Sequence, residues 1–107
     1  MSPGRCLLVL ATMVSAMTAV PAHAETIQIT MDRLAFSPKE VNASVGDTIE
    51  WINNDFLAHT GTARNGDWDV AVPAEKTVTL VLKKPGTIEY YCRYHPNMTG
   101  RIVVAPK

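Results

Sequence analysis

The sequence predicts an all-β domain, a small antiparallel sandwich or barrel of about seven short strands. Apolar and polar residues alternate with a period of two in short stretches roughly ten residues apart. Each stretch closes on a cluster of glycine, proline, asparagine or aspartate, the residues that favour turns. No window carries the i, i+3, i+4, i+7 spacing of an amphipathic helix over a useful length.

Residues 1–24 stand apart from that pattern. Met1 to Arg5 is a short start with one positive charge, and Leu7 to Val20 is apolar or small throughout. Pro21-Ala22-His23-Ala24 then offers a small-x-small exit, which completes the order of a secretory leader. The apolar centre falls short of the about 20 residues that span a bilayer, so no stable membrane insertion is expected. Cys6 precedes the apolar centre, where a lipid-bearing cysteine would follow it. Cleavage after Ala24 would leave one domain, 25–107, of 83 residues.

Within that domain, Thr26 to Met31 alternates, with Ile27 and Ile29 on one face, and Ser37-Pro38-Lys39 breaks the chain. Glu40 to Val45 is a weaker stretch closed by Gly46-Asp47. Thr48 to Asn53 sets Ile49 and Trp51 on a common face and ends in Asn53-Asn54-Asp55. Ala58 to Arg64 runs into Asn65-Gly66, a dipeptide suited to a tight turn. Thr77 to Lys83 alternates cleanly before Lys84-Pro85-Gly86. Thr87 to Cys92 puts Ile88, Tyr90 and Cys92 on one face, and Gly100 to Ala105 is rich in β-branched residues. Trp51 and Tyr90 read as core, and Trp68 as a plug over it from a turn-rich stretch.

Composition excludes several functions. All ten acidic residues and nine of the ten basic ones lie in 25–107, a net charge of −1 with no basic run, which gives nucleic-acid binding no support. No Ser/His/Asp order, phosphate loop or paired carboxylates support an enzyme. Once Cys6 is lost with the leader, Cys92 is the sole thiol and no internal disulfide can form. A lone thiol in an oxidising compartment survives by burial or by binding a metal.

The neighbours of Cys92 favour the metal. Cys92-Arg93-Tyr94-His95-Pro96-Asn97-Met98 spaces thiolate, imidazole and thioether as C-x2-H-x2-M, and His59 ends the set from another strand. Any one of these residues alone would read as packing or surface, but together they are the donors of a blue-copper electron-transfer centre. Two intervening residues let each donor turn back to a common centre, on a loop between Cys92 and Gly100 that Pro96 stiffens. The soft sulfurs suit Cu(I) and the imidazoles Cu(II). Zinc is the rival, but its structural sites use four cysteine or histidine ligands and its catalytic sites keep a water position. Met98 fits neither arrangement.

Gly46-Asp47-Thr48-Ile49-Glu50-Trp51-Ile52-Asn53-Asn54-Asp55, Ala58-His59-Thr60, Pro85-Gly86-Thr87-Ile88-Glu89-Tyr90-Tyr91-Cys92 and the closing Gly100-Arg101-Ile102-Val103-Val104 resemble the cupredoxins. The short ligand loop is most similar to that of the amicyanin subgroup. The resemblance covers essentially all of 25–107. It implies a Greek-key β-sandwich, a periplasmic location and one type 1 copper ion held by His59, Cys92, His95 and Met98. It further implies a monomeric one-electron carrier between redox partner proteins, with a donor such as a dehydrogenase and an acceptor such as a c-type cytochrome or an oxidase. The other expected role is a periplasmic copper chaperone or storage protein, but only Met31 and Met98 remain after the leader, too few for a methionine-rich transfer site. His95 is the expected electron exit.

Departures from the subgroup are also visible. Thr60 stands where many relatives have asparagine, and its backbone N–H is expected to face the Cys92 sulfur. Asn97 replaces a large apolar residue, and the segment between His59 and Cys92 is shorter. In the family an apolar patch around the loop histidine docks the partner. Here Leu57, Ala58 and Pro96 are the expected contributors, and an amine-dehydrogenase partnership does not follow.

Overall fold

The computed structural model describes Gly4 and residues 23–107, so most of the expected leader lies outside the described residues. Among the described residues there is no helix, and none long and apolar enough to cross a membrane. The strands are β1 (Thr26–Asp32), β2 (Ala35–Ser37), β3 (Glu40–Ser44), β4 (Thr48–Asn53), β5 (His59–Ala63), β6 (Asp69–Val72), β7 (Thr77–Val81), β8 (Gly86–Cys92) and β9 (His95–Ala105). They form a four-stranded sheet in the order β2-β1-β4-β7 and a five-stranded sheet in the order β3-β9-β8-β5-β6, packed as a Greek-key sandwich.

Nine strands among the described residues replace the expected seven or so, and each extra strand has a local reason. β2 pairs with β1 through a two-residue turn whose central residues, Arg33 and Leu34, have φ of 53° and 59°. Such turns normally announce themselves with Asn-Gly or Asp-Gly, and this one carries neither signal. Its geometry is instead held from outside, by Asp55 Oδ1 accepting the Arg33 N–H at 3.0 Å. β6 begins on Asp69 and lies at the sheet edge beside β5, where charge is tolerated and alternation is weak.

The sheets are also mixed, not antiparallel: β1 runs parallel to β4, and β3 parallel to β9. Alternation within a strand says which face is buried and nothing about its neighbour's direction. The period-two reading of faces holds. Ile29 and Met31 from β1, Ile49 and Trp51 from β4, Ile88, Tyr90 and Cys92 from β8, and Ile102 and Val104 from β9 are all buried in one core. Full burial of each large side chain contributes about 1.5–3 kcal/mol before chain entropy is set against it.

An aromatic cluster fills the middle. Tyr90 lies 4.7 Å from Phe36, 5.2 Å from Trp51 and 5.8 Å from Trp68 between ring centroids, so Trp68 does plug the core. Two glycines make the room. A Cβ on Gly61 would come within 2.9 Å of the Trp51 ring, and one on Gly100 within 2.3 Å of the Tyr90 phenol. Gly61 lets β5 run directly over Trp51, which fixes the height at which His59, two residues earlier, enters the core.

Candidate metal centre

One end of the sandwich gathers the β1–β2 turn, the β4–β5 connection, the start of β5 and the β8–β9 turn. Asn53 organises the second of these. Its side-chain amide donates to Leu57 O at 2.9 Å and Val72 O at 3.1 Å, while its Oδ1 accepts the Asp55 N–H at 2.9 Å. The connection therefore doubles back on itself and delivers His59 to the core, fully buried.

The β8–β9 turn is tighter than a loop running from Cys92 to Gly100. Cys92 pairs with His95 across Arg93 and Tyr94, whereas Tyr91 pairs with Thr99, so Pro96, Asn97 and Met98 bulge out of β9. His95 and Met98 thus belong to the strand β9 as a bulged start. The bulge aims Met98 inward, where it is 2% exposed, and leaves His95 half-buried with Pro96 and Asn97 exposed.

His59, Cys92 and His95 place one donor atom each within 4.8 Å of the others. Cys92 Sγ is 3.8 Å from His59 Nδ1 and 3.8 Å from His95 Nδ1, and the two imidazole centroids are 5.1 Å apart. Metal–sulfur and metal–nitrogen bonds of about 2.3 and 2.0–2.1 Å meeting at about 110–120° separate sulfur from nitrogen by roughly 3.5–3.8 Å. The donor spacing fits one first-row metal ion. The thiolate, the two imidazoles and the adjoining buried thioether select copper among them.

Two contacts support these donors from outside. The Thr60 N–H donates to Cys92 Sγ at 3.3 Å, as its place beside His59 implied. The sequence reading missed the other: Asp55 Oδ2 lies 2.6 Å from His59 Nε2. A carboxylate there holds the proton on Nε2 and leaves the Nδ1 lone pair facing the sulfur. Burial pushes the Asp55 carboxyl up, but the hydrogen bond with His59 and those from Arg33 and Leu34 outweigh it and hold it below the usual carboxylate value. The signal was an acid four residues before a histidine, which looked like nothing more than a turn following Asn53-Asn54.

Around His95 the surface is apolar. Leu34 and Tyr94 are 50% and 53% exposed and line, with Pro96, a depression beside His95; Phe56 and Leu57 in the β4–β5 connection are 84% and 43% exposed. Leu57, Ala58 and Pro96 are exposed as expected, and Leu34 of the β1–β2 turn adds to the apolar lining beside His95.

Comparison with known proteins agrees with this geometry. Residues 5–104 match the family model of the cupredoxin-like domain. The chain is 30% identical over 89 residues to amicyanin-alpha of Methylorubrum extorquens, covering 78% of this chain and 75% of that protein. It is 29% identical over 119 residues to plastocyanin of Prochlorothrix hollandica, covering 96% and 91% respectively. A solved structure of an oxidised amicyanin variant superimposes with a TM-score of 0.65 at 26% identity, over 73% of this chain and 80% of that one. The chain belongs to the cupredoxin-like family, and its cofactor is one type 1 copper ion.

Proposed function

We propose that this protein is a periplasmic electron carrier that holds its copper through His59, Cys92, His95 and Met98 and exchanges single electrons with partner proteins. One observation carries the reading: the donors are already assembled, with Cys92 Sγ 3.8 Å from each imidazole inside a rigid sandwich. Bound copper supplies the one-electron couple between Cu(I) and Cu(II). The chain's part is to keep the donors in one arrangement for both states, so that little reorganisation accompanies transfer. Asp55 orients His59, Thr60 donates to the Cys92 sulfur, and Met98, which is buried, is the fourth donor. His95 is the donor with an edge near solvent, and it lines a depression with Leu34, Tyr94 and Pro96. That apolar lining suits transient docking of a redox protein, because apolar contact forms and releases without a desolvated ion pair.

Residues 1–24 serve as the cleaved leader. Support comes from the other side of the cut: Thr26 opens β1, and the Glu25 N–H donates to Asp47 Oδ1 at 2.9 Å, so ordered pairing starts at the expected new terminus. Titrating the purified protein with Cu2+ and recording visible and EPR spectra tests the centre. An intense blue band with reversible voltammetry and no copper loss is the expected result. A colourless, redox-silent protein would overturn the copper reading. Rapid copper donation to an apo acceptor would replace the carrier with a chaperone.

A further inference from the structure

Thr60, Thr62, Asp69 and Arg93 form a closed set of hydrogen bonds on the outer face of β5, next to the centre but outside its ligands. The Arg93 N–H donates to Thr60 Oγ1 at 2.9 Å, and Thr60 Oγ1 lies 2.9 Å from Thr62 Oγ1. Thr62 Oγ1 donates to Asp69 Oδ1 at 2.7 Å, and the same oxygen accepts from Arg93 Nε at 3.1 Å. The direction of the middle bond follows from the others. A carboxylate only accepts, so the single Thr62 proton is used on Asp69, and Thr62 must accept from Thr60. Each hydroxyl then donates once and accepts at least once, and the chain of bonds begins and ends on Arg93.

The setting explains why this arrangement is unusual for a strand. Thr60 is fully buried and Thr62 is 8% exposed, although both lie on the face of β5 opposite Gly61 and the Trp51 ring. Buried hydroxyls without partners would be costly, and those of Thr60 and Thr62 are both satisfied. The Arg93–Asp69 pair that covers them is itself half exposed, with side chains 41% and 50% accessible, and alone is worth little. Its value lies in what it terminates.

Thr60 is the junction. Its N–H reaches Cys92 Sγ, and its hydroxyl holds the backbone N–H of Arg93, the residue directly after Cys92. We infer that the Thr60–Thr62–Asp69–Arg93 circuit is a positioning device that clamps the ligand turn to β5 and sets the strength of the N–H···S bond to Cys92. The inference rests on the copper reading above. A hydrogen bond to the sulfur favours the more electron-rich cuprous state, so loosening the clamp lowers the reduction potential.

Thr62→Val removes the middle link at nearly constant shape, and Thr62→Ser restores it. In the apo protein, amide hydrogen exchange at Arg93 is expected to accelerate at least tenfold in T62V and to return toward wild type in T62S, while Ile102 and Val104 stay protected. In the copper-loaded protein, T62V is expected to lose roughly tenfold in its preference for Cu(I) over Cu(II), a fall of about 59 mV for one electron. Should T62V fold poorly, Asp69→Ala at the exposed end of the circuit gives the same exchange readout. Wild-type exchange at Arg93 in both variants, or a blue centre whose potential T62V leaves unchanged, overturns the positioning role while leaving the carrier intact. A wild-type protein that forms no blue centre overturns both.

Discussion

His59 and His95 are the same donor held in opposite ways. His59 is fully buried, opens a strand buried on both faces, and has its far nitrogen 2.6 Å from a carboxylate. His95 starts a bulged strand, is half-buried, and shares its surroundings with exposed Tyr94, Pro96 and Asn97. The contrast separates two tasks that one ligand cannot perform together. Rigidity needs a donor enclosed by packing and fixed by a second partner. Exchange with another protein needs a donor whose edge reaches the surface without breaking the enclosure.

The largest expected difference is in the apo protein. Replacing either histidine by alanine should abolish the blue centre, but His59→Ala should also cost about 2–4 kcal/mol of folding stability, because it opens a buried cavity and strands Asp55. His95→Ala should cost less than about 1 kcal/mol, as a partly exposed side chain. Denaturant unfolding of the two apo variants measures this, and equal losses would erase the contrast.

Asp55→Ala should weaken copper binding by about 10–100-fold through loss of the His59 support, as read by competition with a chelator. Asn97→Ala, beside His95 and exposed, should change it little. On the other side of the comparison, Pro96→Glu or Tyr94→Glu should slow electron transfer to a partner roughly tenfold, equivalent to about 1.4 kcal/mol, with copper affinity kept. Equal loss of both properties would argue against His95 as the exit.

The smallest effect concerns acid. The hydrogen bond from Thr62 lowers the Asp69 carboxyl below its ordinary value, burial opposes it, and Arg93 adds to the lowering. A depressed folded value means a contribution present above the unfolded pKa of about 3.9 and lost as pH falls through the folded one. Apo wild type should therefore unfold at a higher temperature than Asp69→Asn at pH 6, with the gap closing below about pH 4. A gap that widens in acid would reverse the sign and remove Asp69 from the circuit.

Much of the site was legible because it is nearly local: three donors lie within seven residues, and their chemistry is distinctive. The core-facing sides of β1, β4 and β8, and the half-buried side of β7, were legible for a similar reason, since alternation is a local property. Asp55 was not. Its neighbours Asn53 and Asn54 marked a turn, and only the fold brings its carboxylate back onto His59 and under the Arg33–Leu34 turn. Nor was β2, whose left-handed turn residues are held by that same carboxylate.

By itself the sequence determined the all-β class, the candidate donors and the metal such donors prefer, because residue type and short spacing decide them. Tertiary structure decided strand directions, the bulge that separates Met98 from His95 in burial, and the partners of each imidazole. Those depend on which segments meet across 20 to 40 residues of chain, as Cys92 meets Thr60 and Arg93 meets Asp69 at separations of 32 and 24. Such meetings are set by the packing of the whole core around Trp51 and Tyr90, and no short window contains them.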